Sequence, residues 1–272
     1  MRRLWGILLV VLLFWPAAAE APRVKQLSAS LEKIRGLRFR RTVPSQSTSQ
    51  AEATRYLYSL FDQEAARVPF SVRDTFLHQV GLLPVKTSLR LSLRELYGQQ
   101  VRGLYDPHRK VFLVVTGSQA DPQSEALSQA LGIEMDDLLT VHELQHALQD
   151  QHFDLLEVDR RTSANFDASF AAQSLIEGDA YLVMFDYAAA QMGVDSSLFE
   201  EALTGGSLGM DGMLQGQMPG APPFVRRLVS DPYSLGLVFC AALRKKGGWQ
   251  SVNGAFRRLP ASTEQILHPE KY

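Results

Sequence analysis

Residues 142–146 read His-Glu-Leu-Gln-His. On a helix, positions four apart project about 40° from one another, so two imidazoles share a face and can reach one metal ion. Imidazole nitrogens suit zinc, and Glu143, about 100° round the helix, is close enough to hold a carboxylate against a water on that ion. The chemistry such a group performs is hydrolysis: the ion acidifies water and polarises a carbonyl, and the carboxylate takes the proton. Leu139, Val141, Leu144, Ala147 and Leu148 make the carrier segment a mostly buried helix, the rigid element that a metal site needs.

An open zinc site takes three protein ligands, and two residues compete for the third place. Glu177, in Leu-Ile-Glu-Gly-Asp-Ala, follows His146 by 31 residues. A chain that leaves the first helix near His152, loops through Asp154 to Ser163 and returns antiparallel brings Glu177 opposite the histidines, with Gly178 permitting the two helices to approach. Phe170, Gln173, Ser174, Tyr181 and Met184, at helical spacing from Glu177, mark an inward face. His152, ten residues after His142, has the offset of the third histidine of metzincin proteases. There a glycine seven residues after the first histidine turns the chain back; here that position is Gln149. On a continuing helix His152 points about 80° from His142 and about 120° from His146. The spacing therefore favours His142, His146 and Glu177 as the metal set. Two side chains are candidates to donate to an oxyanion, Tyr233 after Pro232 and His268 in Leu-His-Pro.

His142 to His146 followed by Glu177-Gly-Asp-Ala180 resembles the gluzincin, thermolysin-like type of zinc metallopeptidase. More narrowly, HELQHALQDQHFDL from His142 to Leu155, the EGDA segment, Asp231-Pro-Tyr-Ser-Leu-Gly236 and the stretch from Ser262 to Tyr272 are similar to a set of exported bacterial HExxH proteins, over about residues 100–272. The resemblance implies a zincin-like fold, His142, His146 and Glu177 as ligands of Zn2+, Glu143 as general base, and a protein or peptide substrate. The thermolysin pattern has an aspartate four residues after the glutamate ligand, which orients a histidine. Tyr181 holds that position here, with Asp179 on another face, so the resemblance leaves open which residue orients the histidines.

The elements that must position these residues read as mainly helical with a small β-sheet, an α+β class. Helical spacing covers Val24 to Leu37, Gln50 to Arg67, Ser71 to Gly81, Leu89 to Tyr97 and Met135 to His152. A long helix follows Arg161-Thr162-Ser163 and reaches about Gln191. Phe39 to Val43 alternates like a strand, and Pro44 to Ser49 reads as a polar linker. Gln100 to Tyr105 and Lys110 to Val115, joined by Asp106-Pro107-His108, form a hairpin whose first strand could receive an extended peptide at Gly103. Asp231-Pro232 restarts a helix that Gly247-Gly248 ends. The arginines at 35, 38, 40 and 41 read as a solvated basic face. Cys240 reads as a buried core thiol, and Met210, Met213 and Met218 as a loop packed on the core.

The chain is nearly neutral, 28 Lys+Arg against 29 Asp+Glu in 272 residues, which removes the basic surplus expected of a nucleic-acid partner. Its 46% hydrophobic content argues for a sizeable core in place of disorder. Arg2 and Arg3, the apolar run from Leu4 to Trp15, Pro16 and Ala17-Ala18-Ala19 have the order of a secretory leader, and the run is shorter than the roughly 20 residues that span a bilayer. The expectation is a leader over residues 1–19 and one zincin-like domain over 20–272, exported to the periplasm or secreted, without a membrane span once the leader is removed.

Overall fold

The computed structural model describes residues 21–65, 68–100, 103–116, 128–129, 132–197, 218 and 220–272. The expected leader lies outside them, as do Met210, Met213 and most of the Gly-rich stretch around them. Helices α1 (Ala21–Arg35), α2 (Gln50–Ala65), α3 (Phe70–Gln79) and α4 (Leu89–Gln100) come first, with strand β1 (Ser45–Ser49) between α1 and α2. The hairpin β2 (Gly103–Asp106) and β3 (Val111–Thr116) follows. Helices α5 (Met135–Phe153), α6 (Leu155–Thr162), α7 (Phe166–Met192), α8 (Pro223–Arg257) and α9 (Thr263–Leu267) complete the order. The expected class, mainly helical with a small sheet, is the one observed. No described helix is long and apolar enough to cross a membrane.

The sheet has the order β1-β3-β2, with β1 parallel and β2 antiparallel to the central β3. Its first strand corrects the sequence reading. Ser45–Ser49, read as part of a linker, pairs with Phe112–Thr116, whereas Phe39–Val43 is not a strand. An edge strand exposed on most of its length needs no apolar alternation, so Ser-Gln-Ser-Thr-Ser carries no compositional signal. The alternation of Phe39 and Val43 instead marks two side chains of a loop packed against the helical core.

Two apolar clusters organise the interior. One joins α1, α5, α6, α7 and the later part of α8; the other joins α2, α3, α4, the sheet and the first turns of α8. Val141, Leu144 and Leu148 of α5 are completely buried in the first. At roughly 1.5–3 kcal/mol for each such side chain, packing and not helix propensity holds α5 in place. On α1, Val24, Leu27 and Leu31 turn to the same cluster, as their spacing predicts.

Helix α5 ends at Phe153, and Asp154 takes a left-handed conformation with φ 53°. The same residue caps α6 by accepting from the Glu157 amide. The segment expected to loop from Asp154 to Ser163 is therefore mostly helical. Asn165 then caps the 27-residue α7, which is apolar around much of its circumference and correspondingly buried. Contacts between α5 and α7 run in opposite chain directions: Asp137 with Tyr187, Gln145 with Asp179, Gln149 with Ile176. The two helices are antiparallel, as the placement of Glu177 required.

Gly178 does permit a close approach, but to α8 and not to α5. A Cβ at Gly178 would stand 2.0 Å from the Gly236 carbonyl carbon, and one at Gly236 would stand 2.0 Å from the Ser174 oxygen. Backbones in such contact leave no room for a methyl group on either helix. Helix α8 starts at Pro223, eight residues before the expected restart, and Pro232 lies inside it at the loss of one ladder hydrogen bond. Gly247 and Gly248 leave helical conformation, with Gly248 at φ 63°, and so end its first helical stretch as expected, a second running on to Arg257. Beyond the bend, Trp249 and Asn253 both meet Arg35 of α1, the ring 4.4 Å below its guanidinium carbon and the Asn253 Oδ1 2.7 Å from its Nη2.

Candidate metal centre

The two histidines of α5 face one another across a turn, with their Nε2 atoms 2.9 Å apart. From α7, one oxygen of Glu177, Oε2, lies 3.2 Å from the His142 Nε2 and 3.5 Å from the His146 Nε2. A tetrahedral ion with arms of about 2.0–2.1 Å separates its ligand atoms by about 3.3 Å. The triangle formed by these three atoms has nearly that size. All three side chains are fully buried.

The hydrogen-bond inventory points the same way. Both Glu177 oxygens lack a hydrogen-bond partner although buried, as do the Glu143 Oε1 and the His142 Nδ1. Lone pairs converging in a dry interior are costly unless a cation receives them. The local charge agrees: Glu143, Glu177 and Asp179 are buried with Arg35 as the cation among them. These carboxyl groups outnumber the guanidinium, and a metal cation would offset the difference. The residues present therefore fit a metal ion bound by His142, His146 and Glu177.

Protonation follows from burial and neighbours. Burial, reinforced by His146, pushes the His142 imidazole down to about 4. Burial also pushes His146 down, but Glu177, Glu143 and Gln149 outweigh it and leave it above its ordinary value. Burial raises Glu177, and the two imidazoles more than reverse that. A metal must displace protons from its ligands, so His146 is where the competition starts. As pH falls below the raised His146 value, apparent metal affinity should drop about tenfold per pH unit, and more steeply near 4 where His142 joins. Chelator-competition titrations from pH 8 to about pH 4 read that slope directly; an affinity flat across this range would place the metal elsewhere.

Glu143 is held from the sheet. Its Oε2 accepts the Tyr105 backbone N–H of β2 at 2.6 Å, while Oε1 is without a partner. One oxygen is thus anchored and the other free to work. Burial raises the Glu143 carboxyl to about 7, against the Tyr105 hydrogen bond that lowers it. The Tyr105 hydroxyl donates to Asp150, which also receives Lys110 at 2.8 Å, so β2 is fixed to α5 at two points seven residues apart. Because Glu143 occupies the Tyr105 N–H, that residue of the edge is not free to pair with an added strand. Gly103 is small for a local reason, since a Cβ there would stand 3.2 Å from the Phe112 ring.

The orienting partner of His146 is Gln149, the position at which the metzincin pattern has a glycine. Gln149 Oε1 lies 3.0 Å from the His146 Nδ1. Its amide nitrogen donates to the Ile176 carbonyl and to Asp179 Oδ2, both at 2.9 Å. With the amide committed as donor on that side, the oxygen faces His146 and requires hydrogen on Nδ1. The Nε2 lone pair is left for the metal. Asp179 also accepts from Gln145 at 2.6 Å and from Arg35 at 3.0 Å. Asp179, read as lying on another face, is thus the hub of the network. Arg35, read as part of a solvated cluster, is 1% exposed and buried in it. Replacing Gln149 with Leu should weaken metal binding about 10–100-fold with the three ligands intact; an unchanged affinity would show that Gln149 does not hold His146.

Tyr233 stands at the site in the middle of α8, not at a helix start. It is 3% exposed, with its ring centroid 6.4 Å from His142 and 5.2 Å from Tyr181. Burial, with Glu177 nearby, keeps its phenol well above the ordinary value, so it remains a neutral donor. Tyr181 lies edge-on to His142 at 5.2 Å. His268 is at the surface, 3.3 Å from Glu270, and His152 bonds the Arg38 carbonyl at 2.8 Å; neither joins the cluster. Cys240 is a buried thiol, as its apolar neighbours predict.

No family model matches the chain, and no curated protein matches it. Among solved structures it is similar to a crystal structure from Chloroflexus aurantiacus described as a "putative hydrolase with a novel fold". The two share 20% identity over 94% of this chain and 90% of that one, with a TM-score of 0.49.

Proposed function

We propose that the chain is an exported metallopeptidase that takes Zn2+ on His142, His146 and Glu177 and hydrolyses peptide bonds of a protein or peptide substrate. The observation that carries this reading is the convergence of two imidazole nitrogens and one carboxylate oxygen beside a carboxylate, Glu143, that has one oxygen anchored and one free. When bound, zinc supplies Lewis acidity toward a carbonyl and lowers the pKa of water. Glu143 Oε1 accepts the proton of the attacking water and returns it to the leaving amine. Tyr105, through its backbone N–H, holds that carboxylate in register during both transfers. The Tyr233 phenol, kept protonated by burial, is the side chain nominated to donate to the developing oxyanion. Gln149, Asp179 and Arg35 hold His146 in the tautomer that ligates.

The leader expected over residues 1–19 supports export, and the near-neutral charge supports a polypeptide over a nucleic acid as partner. Complete burial of ligands and base favours a second reading, a metal that holds the helices together and turns nothing over. Incubating the zinc-loaded protein with a mixed peptide pool separates the two. New peptide N-termini that vanish on chelation support the peptidase. A chelator that lowers only the melting temperature, with no cleavage before it, supports the second reading.

A further inference from the structure

The surface beyond the C-terminal end of α5 contains a cavity of about 940 Å³. Arg40, Arg41, Lys110, Arg161 and Arg257 line it, brought from a loop, the hairpin and the ends of α6 and α8. Two carboxylates share the lining, Asp150 and Asp154. Asp150 is satisfied by Lys110, the Tyr105 hydroxyl and the Leu155 amide. Asp154 accepts from the Glu157 amide at the start of α6. The guanidinium groups of Arg40, Arg41 and Arg257 have no carboxylate partner among the described residues, and Arg161 lies near the exposed Glu157 and donates to the Arg257 carbonyl at 3.4 Å. Four arginines from three segments thus face one volume with a surplus of positive charge, on a chain whose net charge is −1.

The arginine loop is held in place. Gln151 Oε1 accepts the backbone N–H groups of both Arg40 and Arg41, at 2.7 and 3.1 Å, and its amide donates to the Arg41 carbonyl at 3.0 Å. His152 adds its bond to the Arg38 carbonyl. The two residues that follow the metal-binding part of α5 therefore fix a basic loop over the cavity. Fixing like charges near one another costs energy unless an anion repays it. Phe153 also lines the cavity, half-buried and stacked on the core residue Phe256 with centroids 4.4 Å apart.

We propose that this cavity binds a ligand bearing a phosphate group. A phosphomonoester is a dianion with three acceptor oxygens, which matches several guanidinium forks better than a single carboxylate does. The site is separate from the metal centre. Tyr105 connects them, with its N–H on Glu143 and its hydroxyl on Asp150 at the cavity wall. The assignment does not depend on peptidase activity.

The test is titration of the metal-loaded full chain with phenyl phosphate at about 0.15 M salt, where weak surface attraction is screened. Saturable binding with a Kd of about 1 mM or tighter is expected. Arg40→Ala with Arg257→Ala should weaken it about tenfold or more, since two charged donors are lost. Arg55→Ala with Lys245→Ala removes the same charge from exposed positions elsewhere and should leave binding unchanged. Vesicles containing phosphatidic acid form a second arm. Binding to them that the cavity variant loses, without binding of phenyl phosphate, assigns the phosphate to a lipid headgroup; saturation by phenyl phosphate assigns it to a free ligand. Benzoate binding as tightly as phenyl phosphate, equal losses in the two double variants, or no binding in either arm overturns the proposal.

Discussion

Replacing Glu143 with Ala should leave the metal bound and reduce peptide hydrolysis about 10²–10⁴-fold, the usual contribution of a positioned general base. The expectation rests on the division of labour within the carboxylate. Oε2 is tied to the Tyr105 N–H and Oε1 has no partner, so the substitution removes the only oxygen placed to take a proton while leaving Nε2, Nε2 and Oε2 of the metal set untouched. The loss should appear in kcat and kcat/KM alike, since the proton transfer belongs to the transition state. Turnover equal to the unmodified protein, at equal metal content, would remove Glu143 from the mechanism.

Glu177→Ala should act on the other variable. It deletes the oxygen that completes the ligand triangle, so zinc affinity should fall by more than the roughly 10–100-fold expected for an orienting neighbour such as Gln149. The fold should suffer as well when metal is present, because binding free energy is added to folding free energy. His152→Ala is the contrasting variant: its ring bonds the Arg38 carbonyl of a loop and does not join the cluster, and metal affinity should not move. Competition with a chromophoric chelator measures both, and retention of zinc by Glu177→Ala together with its loss from His152→Ala would return the third place to the histidine.

The parts of this site that were legible in the sequence are those governed by helical period. His142 and His146 share a face because 3.6 residues make a turn, and Glu177 faces them on the side of its helix that also bears Ser174, Tyr181 and Met184. The orienting network was not legible, for a physical reason. Gln149, Asp179 and Arg35 are polar residues whose burial depends on partners 30 to 144 positions away, and nothing local separates them from solvated ones. The basic cluster shows this most clearly. Arg35 is on the last turn of α1 and enters the core, whereas Arg40 and Arg41, a few residues later, stay exposed and line a cavity. Misread elements follow the same division. The edge strand Ser45–Ser49 takes its pairing from β3, not from its own side chains. Helix α8 runs through Asp231-Pro232, a local start signal, because its crossing with α7 at Gly236 and Gly178 fixes it on both sides. The hairpin was readable because turn chemistry and β propensity are local.

The most direct test of the metal centre is a crystal structure of the zinc-loaded protein with anomalous differences measured at the zinc edge. One strong peak is expected about 2.0–2.2 Å from the His142 Nε2, the His146 Nε2 and a Glu177 oxygen, with the Glu143 carboxylate beside but not bound to it. A peak coordinated by His152, or a fully occupied ion away from these three side chains, would contradict it.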